Sequence, residues 1–102
     1  MISTVIVTVD QLDYLKQCLD SWRDTVELPC ELYIIANDPP DATRQYLEEI
    51  AYEYVEHLDT KFQDVSVAFN QTNLGISVAW NQGLIASSGE YIMIVNDDVL
   101  FP

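Results

Sequence analysis

Basic side chains are scarce in this sequence: 4 Lys and Arg and one His stand against 17 Asp and Glu, a net charge of −13 over 102 residues. Binding a polyphosphate backbone takes clustered Lys and Arg, so no nucleic-acid partner is expected. Long apolar runs are missing too. No stretch approaches the roughly 20 residues that span a bilayer, so no transmembrane segment is expected. Met1-Ile2-Ser3-Thr4-Val5 lacks the basic start of a signal peptide and reads directly as a strand. The two cysteines, Cys18 and Cys30, fit no metal-ligand spacing. They are expected as reduced thiols of a cytoplasmic protein, with a disulfide between them as the alternative. The one histidine, His57, falls near the end of a helical stretch, where the helix dipole favours a surface cation over a catalytic base.

What is present is an ordinary globular composition, 49% hydrophobic and 21% charged, of a size for one domain spanning residues 1–102. Residues 3–8 are β-branched almost without break, as in a strand buried on both faces. Leu12, Leu15, Leu19 and Trp22 recur at helical spacing and predict a helix ending near Thr25, with Asp10 at its cap. After Pro29, residues 32–36 form a second buried strand, and Asn37-Asp38-Pro39-Pro40-Asp41 is a turn-rich loop. Asp41 or Thr43 caps a second helix whose core face is Leu47, Ile50, Ala51, Tyr54 and Leu58. Residues 65–69 alternate, which predicts a strand half exposed or near an edge. Ile76, Ala79, Trp80, Gly83 and Leu84 predict a third helix over 76–86, closed by Ser87-Ser88-Gly89 with Gly89 just past its end. A buried apolar strand from Glu90 to Asn96 then delivers Asp97 and Asp98.

Strands alternating with helices imply a parallel sheet with right-handed crossovers and helices on both faces. The expected strand order is 3-2-1-4, which puts a topological switch point, and so a ligand crevice, between strands one and four. Val9-Asp10 and Asn96-Asp97-Asp98 end those two strands. Two adjacent carboxylates repel each other, a cost that a divalent cation can offset. In so acidic a chain, an anionic nucleotide would depend on a cation or on oriented backbone N–H groups in place of basic side chains.

Four stretches, taken in order, resemble the N-terminal nucleotide-binding half of glycosyltransferase family 2, of GT-A type. They are Val5-Ile6-Val7-Thr8-Val9-Asp10; Glu31 to Asn37 with Asp41 and Thr43; Asn70 with Asn73-Leu74-Gly75, Ala79, Asn81 and Gly83; and Gly89-Glu90-Tyr91-Ile92 through Asp98. The resemblance implies a Rossmann-like three-layer α/β sandwich that binds a nucleoside diphosphate sugar. It implies that Asp98 ligates Mg²⁺ or Mn²⁺, with Asp97 assisting the metal or contacting the ribose. Thr8 and Asp10 would line the nucleoside pocket, and Asn73 and Gly75 would shape the wall near the diphosphate and sugar. Ala36 stands where the family carries an acid that accepts a hydrogen bond from the base, so Asn37 or Asp38 would have to substitute. The family's acceptor-binding half and catalytic base lie beyond the acidic motif. The chain is therefore expected to be a truncated, donor-binding portion of a hexosyltransferase-like enzyme, not competent alone and with no catalytic residue of its own. The alternative is a non-catalytic interaction module, a homo-oligomer joined through the apolar edge of residues 91–95. A receiver-type phosphorylation domain fits less well, because the third strand ends in Phe69-Asn70 with no acceptor acid.

Overall fold

The computed structural model describes residues 2–25, 30–56 and 62–100, with backbone alone for 54–56 and 62–64. Seven elements alternate strictly: β1 (Ile2–Thr8), α1 (Leu12–Thr25), β2 (Cys30–Asn37), α2 (Asp41–Glu56), β3 (Phe62–Asn70), α3 (Ile76–Ala86) and β4 (Tyr91–Asn96). The four strands form one sheet in the order β3-β2-β1-β4, every neighbouring pair parallel. The expected fold class and strand order hold. His57 and Leu58 lie outside the described residues.

Alternation along the strands sorts side chains between two helical layers. Ile6, Leu32, Ile34, Ala36, Val65 and Val95 meet Leu15, Leu19 and Trp22 of α1 and Leu47 and Ile50 of α2 in the main core. Val7 and Ile35, on the opposite face, meet Ala79 and Trp80 of α3 in a smaller one. Leu15, Leu19 and Trp22 are at most 1% exposed, and burying each such side chain contributes about 1.5–3 kcal/mol. Cys18 and Cys30 are both buried in the main core, with no disulfide between them. On the smaller side α3 presses directly on the sheet. A Cβ built on Gly83 would stand 2.3 Å from a Val5 methyl carbon, so only glycine allows this approach.

Several local expectations are corrected. The first bond of α1 runs from the Leu15 N–H to the Gln11 carbonyl at 2.8 Å, so Gln11 and not Asp10 holds the cap position. The Pro40 carbonyl does the same for α2, accepting from Arg44 at 3.0 Å. Asp41 therefore sits inside the first turn, where its charge suits the dipole, and Thr43 is buried in the same turn. Helix α3 ends at Ser87 in extended backbone, its N–H and hydroxyl both donating to the Gly83 carbonyl. Gly89 is no left-handed stop: Gly75 is the one positive-φ glycine among the described residues. Ile76 is half exposed. The largest difference is β4, where only Val95 is buried while Tyr91, Ile92 and Ile94 are exposed. The strand is an edge with a neighbour on one side only, and its apolar side chains are not covered on both faces.

Glu31 ties the far end of the molecule together. Its carboxylate is 3% exposed. It accepts from the Ser3 hydroxyl at 2.5 Å and from the Ser88 N–H at 2.6 Å, and Ser88 Oγ lies 2.9 Å from its second oxygen. The Gly89 N–H then donates to Ser3 Oγ at 2.8 Å. One buried acid thus locks the α3–β4 connection onto β1 and β2, setting where β4 starts.

Candidate functional site

At the C-terminal end of the sheet, a cleft of about 500 Å³ opens over the junction of β4, β1 and β2. Val7, Val9, Asp10 and Gln11 line it from β1 and the following turn, and Asn37 from β2. Asn73, Gly75 and Ile76 contribute the α3 entry, and Asn96, Asp97 and Asp98 the end of β4. This is the switch-point crevice that the strand order demands. Of the residues singled out from sequence, Asp10, Asn37, Asn73, Gly75, Asp97 and Asp98 all meet here. Thr8 does not line the cleft. It is 1% exposed and stands behind it, its hydroxyl donating to Asp97 Oδ2 at 2.9 Å. The β1–β4 register explains the contact: Val7 lies beside Asn96, which carries Thr8 to Asp97.

The acid wall is prepared and under strain of charge. Burial raises the Asp97 carboxyl above its usual range; the Thr8 hydroxyl opposes this and neighbouring Asp98 adds to it. Beneath, the Cys18 thiol lies 3.7 Å from the Asn96 carbonyl. Burial pushes that thiol up to about 11, a Val99 backbone hydrogen bond opposing and Asp97 and Asp98 adding. It stays protonated and acts as packing, not as a nucleophile. No Lys or Arg is among the described residues lining the cleft. Arg44 sits 4.3 Å from the Phe69 ring centroid, Lys16 sits 5.3 Å from that of Tyr46, and Arg23 pairs with Asp24 at 3.2 Å.

The opposite wall is built from amides. Asn37, 1% exposed, accepts at Oδ1 from Asn70 Nδ2 at 2.7 Å and directs its own Nδ2 to the Gly75 carbonyl at 3.4 Å. Asn70 is held in turn by Gln82, through bonds of 2.8 and 3.1 Å. Asn73 Oδ1 accepts from the Gly75 N–H at 2.9 Å, closing the turn that Gly75 completes at φ 87°. Sequence reasoning placed Asn70 in a motif but assigned it no role, and missed Gln82. Its signal was only that Asn37 and Asn70 end adjacent strands. Ala36 packs into the α1–α2 core, so the residue β2 presents to the cleft is Asn37. Asp38 is exposed, at φ 45°, and does not line the cleft.

The cleft holds oxygen donors of the kind that could take a hard cation. Asp98 and the second oxygen of Asp97 are the carboxylates that could hold one. Among the described residues no group of three or more His, Cys, Asp and Glu could hold an ion alone. Among the described residues no helix is long and apolar enough to cross a membrane.

Known proteins are similar to this chain in sequence and fold. EpsH of Bacillus subtilis (strain 168) is 27% identical over 97 residues, covering 95% of this chain and 26% of that protein. Glycosyltransferase GlyA of Streptococcus pneumoniae serotype 4 is 33% identical over 96 residues, 93% of this chain and 12% of that protein. The crystal structure of S. aureus TarS 1-349 superposes with a TM-score of 0.73 at 24% identity, over 96% of this chain and 28% of that one. TarS 1-349 has also been solved in complex with UDP. The chain thus spans about a quarter of the length of EpsH. The family model described as Glycosyl transferase family 2 matches residues 3–102, and with the fold in agreement, the chain belongs to glycosyl transferase family 2.

Proposed function

We propose that these residues bind the nucleoside diphosphate part of a sugar donor, in the cleft between the acid and amide walls. The observation that carries this reading is the convergence of Asp10, Asn37, Asn73, Gly75, Asp97 and Asp98 on one cleft at the switch point. The UDP complex of TarS supports it by analogy of fold. Asp98, with Asp97 braced by Thr8, would hold Mg²⁺ or Mn²⁺; when bound, that ion neutralises the diphosphate as it leaves. Asp10 would face the ribose, and the turn ending at Gly75 would stand against the diphosphate and sugar. The three cleft carboxylates are thereby assigned to donor binding. On this reading the 102 residues alone hold the donor without transferring its sugar, and transfer by the purified chain would overturn that part.

Calorimetric titration with UDP, with and without Mn²⁺, tests the reading. The ion is expected to tighten binding at least about tenfold, because no basic side chain is among the described residues lining the cleft. Asp98→Asn is expected to abolish the difference. Failure of UDP, CDP, GDP and ADP to bind at all, with the ion present, would remove the proposal.

A second reading rests on the β4 edge. Tyr91, Ile92 and Ile94 are 70%, 43% and 44% exposed, and no charge or proline interrupts the strand. Unprotected edges recruit other strands, so we propose self-association through β4. Light scattering should give a mass above that of one chain, and Ile94→Lys should lower it; a monomeric mass at high concentration counts against the proposal.

A further inference from the structure

The free edge of β4 is neutral between acidic ends. Glu90 precedes the strand, Asp97 and Asp98 follow it, and Tyr91 to Asn96 carry no charge. No helix overhangs the edge. Met93 and Val95 turn toward the main core, so Tyr91 shares their face while Ile92 and Ile94 take the α3 face, and all three are exposed. A groove of about 350 Å³ follows the second half of the edge, lined by residues 93–96, by Val99 and, from α3, by Trp80. The Trp80 indole N–H is buried without an acceptor among the described residues, and a donor left in that state costs about 1–3 kcal/mol.

Resting on the self-association reading above, we infer that β4 pairs antiparallel with β4 of a second copy about a two-fold axis at Met93, each copy setting its Glu90 beside the other's cleft. Two identical edges that continue one sheet are related by an axis normal to it. That makes the strands antiparallel and sets one residue opposite its own copy. An uncharged stretch between acids fits a strand of the same pattern, provided the acids avoid each other. With the axis at Ile94 they do not: Glu90 faces Asp98 and Tyr91 faces Asp97, and like charges directly opposite are destabilising. With the axis at Ile92, Asn96 faces Ser88 and Val95 faces Gly89, whose N–H groups already donate to Glu31 and Ser3. With the axis at Met93, Tyr91 faces Val95 and Ile92 faces Ile94, apolar against apolar, and neutral Asn96 faces Glu90. Asn96 lines both the cleft and the edge groove. The partner's Glu90 thus stands at the cleft's rim and brings an acceptor into the groove that Trp80 walls.

Cysteines placed along the edge read the register. Residues directly opposite in an antiparallel pair have Cα atoms about 4.5–5.5 Å apart, within disulfide reach. Ile94 and its copy would be two residues out of register, about 8 Å apart and beyond that reach. Met93→Cys is therefore expected to give a covalent dimer on air oxidation. Ile94→Cys is expected to give none, like the unaltered chain, whose Cys18 and Cys30 are buried. Mixing Glu90→Cys with Asn96→Cys chains should give a mixed covalent dimer, and its absence would take the partner's Glu90 away from the cleft. Melting scans check that each variant is folded. A dimer by light scattering that cross-links at 94 as readily as at 93, or at neither, overturns the pairing while leaving self-association standing. A monomeric mass removes both.

Discussion

Two carboxylates shifted in opposite directions show how single residues divide between stability and function. Glu31 is buried, which alone would raise its pKa, but the hydrogen bonds from Ser3, Ser88 and Gly89 prevail and hold it below the usual glutamate range. A lowered folded-state value means the charged form stabilises the fold above the unfolded value of about 4.3, and that contribution fades as pH falls through the folded one. Asp97 has the reverse sign. Its raised value means that its charge works against the fold at neutral pH and that protonation relieves the strain. Glu31→Gln should therefore cost about 1–3 kcal/mol at pH 7, with a smaller cost in acid. Asp97→Asn, which can still accept from Thr8, should stabilise the chain by roughly 0.5–2 kcal/mol at pH 7 while weakening cation and nucleotide binding. Urea unfolding at neutral and acidic pH measures both. An Asp97→Asn protein less stable than its parent at pH 7 would show that the Thr8 bond outweighs the charge. Asp97 was legible from sequence because it ends an apolar strand. Glu31 was legible only as part of a motif, since its partners Ser3 and Ser88 are 28 and 57 residues away in the chain.

At the level of elements, α3 carries the amide wall, and its seat on the sheet decides whether that wall is in place. Gly83 lets the helix approach Val5, and Gln82 beside it holds Asn70. In an exposed helix, Gly→Ala would gain about 1 kcal/mol of propensity. Here the new methyl meets Val5 in a packed layer, and overpacking of that kind costs about 1–3 kcal/mol. Gly83→Ala should thus lower stability and weaken nucleotide binding together, whereas Ala86→Gly, at the exposed helix end, should leave binding unchanged. Parallel melting and titration experiments separate the two; Gly83→Ala binding as well as the parent would free the amide wall from the helix seat. Helical spacing sufficed to place α3 at its observed bounds, and uninterrupted β-branching sufficed for β1. The strand order placed β4 at an edge, but its apolar run did not reveal that its faces are exposed, because such a run reads alike whether a strand is covered on both faces or not. Caps were the least legible feature. Gln11 and Pro40 cap through backbone carbonyls, which leave no mark in side-chain identity.

For the whole molecule the governing fact is a charge of −13. Self-repulsion of that size opposes the compact state and is screened by salt, with a Debye length of about 30 Å at 0.01 M and about 10 Å at 0.1 M. Melting temperature should accordingly rise with NaCl over that range, by about 4–8 °C for each kcal/mol of repulsion removed. Screening is blind to position, and this gives a way to isolate the cleft. If Asp97 and Asp98 hold a divalent ion, MgCl₂ should stabilise the chain more than NaCl at matched ionic strength, because binding to the folded form adds to screening. Asp98→Asn should remove that excess and leave the NaCl response intact. Substituting Glu48, an exposed acid of α2, by Gln should do neither. An excess that survives Asp98→Asn would mean the ion resides elsewhere on the acidic surface. The cleft carboxylates would then act on a donor by charge and hydrogen bonding alone.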